Sequence, residues 1–427
     1  MNILILTKHN PNKIINGSSL RNQQTIFACS HYGSVGVIYL NLDSSVKDYS
    51  ILKSEIVTQE VSYLRNIVFG EITLWRNFSQ SINNLIFFIS GYGLKKDALF
   101  SKAVEKEIKS IVKFFKPDVV IFSEVWFATY LNAFSKTPCK LIYDAHNAES
   151  FLLEDLLKEQ YKQKQGLRKG LQALINYYRV GLLKRLEQKL MDTVDQVWTC
   201  SNDDAFLLKK ISPAQNKFFV VPNSIDCRRF AKVRSNRFAK VKSLGNSDEI
   251  KHLIYIGSYG YYPNQVAANF LINEICPRLR KQEVKFKLFL VGSSPSKTMH
   301  ISAQEHQDIV VTGKVENTLD YLAIADVAVI PLFQGGGTRL KLLEAFAAGV
   351  PVVTTPKGIE GIESENNVHA LVRDNADTLF DAIVEILSCK ELCLSLMEKA
   401  FELVNSRYSW SAAKDTIGKA LSSFPQD

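Results

Sequence analysis

Two series of short apolar runs, separated by stretches of helical period, constrain this chain more than any other feature. The first comprises Asn2–Leu6, Val35–Leu40, Asp118–Phe122, Lys140–Tyr143, Gln196–Cys200 and Phe218–Val221. The second comprises Leu253–Ile256, Lys287–Val291, Ile309–Val311, Val327–Pro331 and Val352–Thr354. Amphipathic stretches such as Ser18–Ser30 and Ala98–Phe115 lie between the runs. A parallel strand is reached by a crossover helix and buried on both faces, so Val/Ile-rich runs alternating with helices indicate parallel sheets of βαβ units. The two series are parted by AKVRSNRFAKVKSLGNSDEIKH, which is polar, basic and without apolar periodicity. The expected fold class is α/β, with two doubly wound, Rossmann-like domains facing a cleft. Residues 1–230 form the first domain, 231–249 the linker and 250–405 the second domain, and 406–427 form a helix that crosses back to the first. A length of 427 residues suits this division at about 150 residues per domain. Neither half carries a strict short repeat, which argues against a solenoid.

Composition narrows the function classes. Hydrophobic residues make up 46% and charged residues 22%, which excludes a wholly disordered chain, a collagen and a coiled-coil rod. No stretch approaches the roughly 18 apolar residues of a membrane span. The opening MNILILTKHN reads as a buried first strand and not as a signal peptide. The seven cysteines are scattered without a CxxC pair, so they read as reduced, buried thiols of a cytosolic protein and not as metal ligands. Lys and Arg number 52 against 43 Asp and Glu, a net charge of +9, which favours anionic partners. Lys158 to Lys189 carries nine basic residues against two acidic ones; a solvated helix face and an anion-facing surface both fit. Ser62–Phe100 mixes aromatic residues with Arg65, Arg76, Lys95 and Lys96. It reads as core packing in a helical insertion or as an interfacial surface at lipid headgroups. Basic residues are plentiful, yet no recognised nucleic-acid module accompanies them, so nucleic acid is not an expected partner.

Chemistry concentrates between Pro331 and Val353. An apolar run, VAVIPL, leads into Gly335, Gly336 and Gly337, then into a helical segment. Consecutive glycines permit positive φ and close backbone approach. Thr338 is the expected N-cap, and the free N–H groups of a first helical turn favour a phosphate. Arg339 and Lys341 add positive charge there. Lys341 and Glu344 stand three apart and share a helix face. A cation and a carboxylate so placed suit a nucleotide sugar, the first meeting the diphosphate and the second accepting ribose hydroxyls. A glycine turn with a structural Lys–Glu pair fits the same residues.

This segment resembles the nucleotide-binding signature of the retaining GT-B glycosyltransferases of family 4, the group 1 glycosyltransferases. The resemblance is most specific over residues 250–362. IYIGSYGYYPNQVAANFLINEICPRL is similar to the first strand–loop–helix of the family's C-terminal domain, in a branch carrying Tyr-Pro-Asn. TGKVENTLDYLAIADVAVIPL, TTPKGIEGI, VVPNSID and the final SRYSWSAAKDTI match further segments. The resemblance implies a nucleotide-sugar site with Gly257, Asn264, Gly313, Val315, Gly335, Gly336, Gly337, Thr338 and Glu344, the base held by backbone near Gly313 and Val315. It places Gly17, Ser18 and Arg21 in the glycine loop after the first strand, Gly17 facing the diphosphate and Ser18 and Arg21 on the acceptor side. It places His146, in DAHNAES, near the reacting centre. From the residues alone His146 is as well read as a satisfied core or loop histidine.

Two departures stand out. Eight positions before Glu344, where the family has its first glutamate, this chain has Gly336. The usual Arg and Lys after the first strand of the C-terminal domain are replaced by the Gly257–Asn264 segment. Arg339 and Lys341 are therefore expected to supply the leaving-group charge, with His146 as the third catalytic candidate. No His/Cys/Asp cluster has metal-ligand spacing, so neither a metal nor a cofactor is expected. The donor is a UDP-, GDP- or ADP-sugar, and the acceptor a glycan, a lipid-linked molecule or another hydroxyl. The resemblance implies retention of configuration in surface polysaccharide or glycolipid assembly. The expected place is the cytoplasm, on the inner face of an anionic membrane. The rivals are a GT-B-like sugar-nucleotide epimerase and a non-catalytic sugar-nucleotide-binding partner.

Overall fold

A computed structural model of the chain describes residues 1–10, 17–41, 63–68, 100–162, 169–212, 217–243, 250–335 and 339–425. Two compact units emerge. The first is Met1–Asn223 with Ala413–Asp427, and the second is Ser224–Ala412.

The first unit is built on a seven-stranded parallel sheet. Its strands are β1 (Asn2–Thr7), β2 (Ser34–Asn41), β3 (Tyr63–Val68), β4 (Val119–Ser123), β5 (Lys140–Ala145), β6 (Gln196–Thr199) and β7 (Lys217–Val220), in the order β3-β2-β1-β4-β5-β6-β7. Helices α1 (Gly17–Ser30), α2 (Lys102–Phe115), α3 (Glu149–Lys162), α4 (Lys169–Met191) and α5 (Asn202–Ile211) connect them. Alternation along NILILT sends successive side chains to opposite layers. Ile3 and Ile5 join a core with Ile26, Val37, Ile121 and Trp198, while Leu4 and Leu6 join another with Ile108, Phe122, Leu186 and Leu190. The first of these cores also holds Ile417, Ala420 and Leu421, from the last helix of the chain.

In the second unit six parallel strands lie in the order β10-β9-β8-β11-β12-β13. They are β8 (Lys251–Ile256), β9 (Phe286–Val291), β10 (Ile309–Gly313), β11 (Val327–Ile330), β12 (Val352–Thr354) and β13 (Leu371–Val372). Its helices include α6 (Ala231–Ser243), α7 (Tyr262–Phe270), α8 (Cys276–Lys281), α9 (Lys297–Glu305), α10 (Leu319–Ile324), α11 (Leu340–Ala347), α12 (Ala376–Ser388) and α13 (Lys390–Arg407), and α14 (Trp410–Ser422) runs on into the first unit. Strand order reverses between β1 and β4 in the first sheet and between β8 and β11 in the second. At such reversals neighbouring crossovers diverge to opposite faces, leaving a crevice outside the carboxyl ends of the strands.

Two segments hold structure that the sequence pattern did not suggest. Of the expected linker, residues 231–243 form helix α6. Arg237, at its centre, and Val241, four residues further on, are buried on one face. The Arg237 Nη2 donates to the carbonyls of Leu322 (3.3 Å) and Ala323 (3.1 Å), at the end of α10. An arginine supplies the middle of the buried stripe, so a search for apolar periodicity passes it by. Residues 244–249 lie outside the described residues. Within the aromatic Ser62–Phe100 segment, read as a helical insertion, Tyr63–Val68 is an edge strand paired with β2; residues 69–99 lie outside the described residues. The two-residue β13 carries too little pattern to have been anticipated.

Candidate functional site

The second unit's crevice is shaped by glycines. Gly257 follows β8, and its N–H donates to Val291 O at 2.9 Å. Gly292 follows β9 with φ +144°, and a Cβ there would lie 1.9 Å from Gly257 O. Gly335 follows β11 with φ +97°, and a Cβ there would lie 2.8 Å from the Tyr261 hydroxyl. No residue with a side chain fits either place without displacing its neighbours. Gly336, Gly337 and Thr338 lie outside the described residues.

Helix α11 starts at Leu340. The N-cap position falls to Arg339, without a side-chain cap; Thr338, the N-cap expected from the sequence, lies outside the described residues. Arg339 is buried, and its guanidinium is turned to protein. Nη2 donates to Gly335 O at 2.6 Å, Nε donates to Lys357 O at 3.2 Å, and Glu360 Oε2 lies 3.6 Å away. It ties the glycine loop to the loop after β12, a positioning task that the expected catalytic charge did not include.

Lys341 is held otherwise. Its Nζ donates to Asn264 Oδ1 at 2.7 Å and Tyr255 Oη at 3.0 Å, and lies 4.4 Å from the centre of the Tyr255 ring. Burial, then the neighbouring Arg339, pushes the Lys341 amine down to about 7 despite Glu344. The Glu344 carboxylate makes no hydrogen bond or ion pair with any described residue. Burial pushes it up to about 7 against the opposing charges of Arg229 and Lys341. The pair therefore share a helix face without forming the closed Lys–Glu bridge that the sequence also allowed. Asn264 is buried beneath them and bonded to Lys341 and Tyr255. Gly313 has φ +70°, and its carbonyl accepts from Gly292 N and Thr312 Oγ1. Val315 is half-buried just beyond.

In the first unit, the ends of β1, β4 and β5 gather a second set of side chains. His146 is 4% exposed, and neither ring nitrogen has a hydrogen-bond partner among the described residues. Nδ1 lies 3.9 Å from Glu124 Oε1, and Nε2 lies 3.9 Å from Asp144 Oδ2. Burial drives the imidazole down to about 3, outweighing the pull of Glu124, so it is neutral at physiological pH. Glu124 is 3% exposed, with φ +91° and ψ 150°, a conformation that side-chain-bearing residues avoid. Its carboxylate lies 3.0 Å from Lys8 Nζ and 3.1 Å from His9 Nε2. Burial would raise it, but His9, Lys8 and His146 together hold it below the usual carboxylate range. The sequence reading missed Glu124, Lys8 and His9. The available signal was polar residues placed directly after buried parallel strands.

Arg21, expected on the acceptor side, is turned into the protein. It is 1% exposed. Nε donates to Asp144 Oδ1 at 2.9 Å, and Nη1 donates to Val221 O at 2.7 Å and Asn223 Oδ1 at 2.9 Å. The helix that carries it begins at Gly17, so its fourth and fifth residues turn inward while Gly17 is exposed and Ser18 half-buried. Residues 11–16, the body of the expected loop, lie outside the described residues.

Residues 250–389 match the family model for the group 1 glycosyl transferases. That stretch, within the second unit, is what ties the chain to group 1 glycosyl transferases. No curated protein sequence matches the chain. Among solved structures, sucrose-phosphate synthase of Thermosynechococcus elongatus is 15% identical with a TM-score of 0.68, over 99% of this chain and 98% of that one. HepE of Anabaena, in complex with UDP and glucose, is 13% identical with a TM-score of 0.63, over 99% and 100%. The E. coli trehalose-6-phosphate structure with bound UDP-2-fluoro glucose is 11% identical with a TM-score of 0.67, over 99% of each chain. The fold is GT-B, two Rossmann-like units, as the domain and strand pattern implied.

Proposed function

We propose that this glycosyltransferase chain moves a sugar, with retention of configuration, from a nucleotide-diphosphate sugar to a hydroxyl acceptor on a glycan or lipid-linked molecule, in surface polysaccharide or glycolipid assembly. The observation that carries the reading is the Lys341–Glu344 pair at the second unit's strand reversal: among the described residues, the ammonium bonds neutral groups alone and the carboxylate has no bonded partner. A diphosphate completes the first, and vicinal ribose hydroxyls complete the second. UDP in the HepE structure and UDP-2-fluoro glucose in the E. coli structure support a uridine donor. Gly313 and Val315 hold the base in this reading. Lys341 stabilises the charge that grows on the leaving phosphate, and that phosphate accepts the acceptor's proton without a metal. Within the first unit, the His146 ring nitrogens, without partners among the described residues, and the buried Glu124 carboxylate suit sugar hydroxyls.

A panel of UDP-, GDP- and ADP-sugars tests this. A donor at 100 times its Kd stabilises a protein by about 2.7 kcal/mol, and radiolabelled donor reports transfer or hydrolysis. Absence of both a thermal shift and turnover with every donor defeats the proposal. A second reading, a non-catalytic sugar-nucleotide binder, is favoured by Gly336 at the place of the family's first glutamate; a thermal shift without turnover would establish it.

Membrane attachment belongs to the same proposal. No helix among the described residues is long and apolar enough to cross a membrane. In the basic run, Lys158 and Lys184 both pair with Glu154, at 3.1 and 3.2 Å, which removes part of the surface charge. Co-sedimentation with vesicles of rising anionic content tests the remainder. Binding indifferent to lipid charge at low salt eliminates the peripheral arrangement.

A further inference from the structure

We propose that Asn264, with Tyr255, is the positioning residue of Lys341: it fixes the ammonium beside the second unit's strand reversal while leaving its charge uncompensated. The inference rests on the reading of Lys341 as the group that meets the donor diphosphate.

Buried lysines are ordinarily paired with a carboxylate, which fixes them and cancels their charge. Lys341 is fixed by neutral acceptors instead. The amide of Asn264 has one orientation that satisfies its surroundings: Nδ2 donates to Ser258 O at 2.8 Å, which turns Oδ1 to receive Tyr255 Oη–H at 2.8 Å and Lys341 Nζ–H at 2.7 Å. Tyr255 donates to the amide and accepts from Lys341 at 3.0 Å, so the three groups close a ring. Two of the three ammonium hydrogens are used there, and the third has no partner among the described residues.

The surroundings hold this ring in place. Pro263 stands at the first turn of α7, and Asn264 N donates to Tyr261 O at 3.0 Å. Tyr259 N donates to Ser293 O at 2.8 Å, anchoring the preceding loop. Gly257 completes the fit, since a Cβ there would lie 3.0 Å from the Asn264 amide and 3.2 Å from Lys341 Nζ. The charged groups near Lys341 are Arg339 and Glu344 on its own helix, and Tyr255 is the titratable group facing it from β8. Arg339 repels the ammonium, and Glu344 forms no ion pair with it. The ammonium thus keeps a charge that no described carboxylate bonds, and an anion with two charged oxygens can complete it. The Tyr-Pro-Asn segment thus replaces the missing Arg and Lys after β8 indirectly, by presenting a lysine from another element.

Two nearly isosteric substitutions test the assignment in the full chain. Asn264→Asp places a carboxylate against Nζ and cancels the charge; Tyr255→Phe removes one acceptor. Competitive acetylation with acetic anhydride across a pH series, read by mass spectrometry of the Lys341 peptide, gives the ionisation midpoint of the amine without any donor. Asn264→Asp should raise that midpoint by at least one pH unit, Tyr255→Phe should lower it, and Asn264→Asp should weaken UDP binding at least tenfold. A midpoint unmoved by both substitutions overturns the proposal. If the midpoints move as stated but millimolar UDP, GDP or ADP neither slows acetylation of wild-type Lys341 nor binds, the positioning role stands and the donor reading fails.

Discussion

Arg21→Met separates a structural arginine from an acceptor ligand. The guanidinium bonds Asp144, Val221 O and Asn223 Oδ1 at 1% exposure, and Asp144 is wholly buried. Methionine matches the length and apolar volume of the side chain, so packing is largely kept and the lost term is electrostatic. Removing one partner of a buried pair leaves an uncompensated charge and costs about 3–5 kcal/mol. In a unit of this size each kcal/mol lowers the melting temperature by about 2–4 °C, so the first unit's transition should fall by roughly 6–20 °C. Thr25 Oγ1, 3.2 Å from Asp144 Oδ2, softens the loss without removing it. Arg21→Lys should recover only part, because an ammonium cannot reach the carboxylate and both carbonyl acceptors together. Calorimetry follows the two units' transitions, and nucleotide binding reports whether the second unit is intact. A melting temperature within 2 °C of wild type, with turnover reduced through the acceptor KM, would refute the structural assignment.

Glu344→Ala should weaken donor binding by about 1.5–3 kcal/mol, the value of hydrogen bonds to a charged acceptor; unchanged affinity by titration calorimetry would mark Glu344 as structural. Lys341, with its amine near 7, is an ammonium below that pH and an amine above it. Glu344, pushed up to about 7, ionises over the same range and opposes this, so in a Glu344→Gln background affinity for a nucleotide sugar, whose diphosphate stays ionised throughout, should fall about tenfold from pH 6 to pH 8. Lys341→Met should lose that slope, and a slope that persists in the variant assigns it elsewhere. His146, near 3, should contribute no limb to the rate profile between pH 5 and 8, so a limb there that disappears in His146→Gln contradicts the neutral assignment. Glu124→Gly relieves a backbone conformation costing about 1–3 kcal/mol while removing the carboxylate. Its melting temperature should stay within about 3 °C of wild type as turnover falls at least tenfold, and undiminished turnover would exclude Glu124 from the site.

The strands were legible because a parallel sheet buried on both faces writes itself locally, as runs like NILILT and VAVI. The glycine turn after β11 was equally legible, since positive φ at Gly335 narrows the choice of residue to one. Helix α6 was not, because its central buried position is an arginine whose partners, the carbonyls at the end of α10, lie more than 80 positions away. Side-chain direction was the main thing beyond reach. Arg21, Arg339 and Lys341 are alike in sequence as cations beside glycine-rich turns. Only packing turns the first onto Asp144 and the second onto Gly335 O, while leaving the third against neutral groups. Chain order determined which strands exist and where each turn falls. The sheet reversals at β1/β4 and β8/β11 decided which strand ends meet, and so brought together Glu124 with His146 and Asn264 with Lys341. A residue's charge is local, but whether that charge is spent on the protein depends on partners supplied by distant segments.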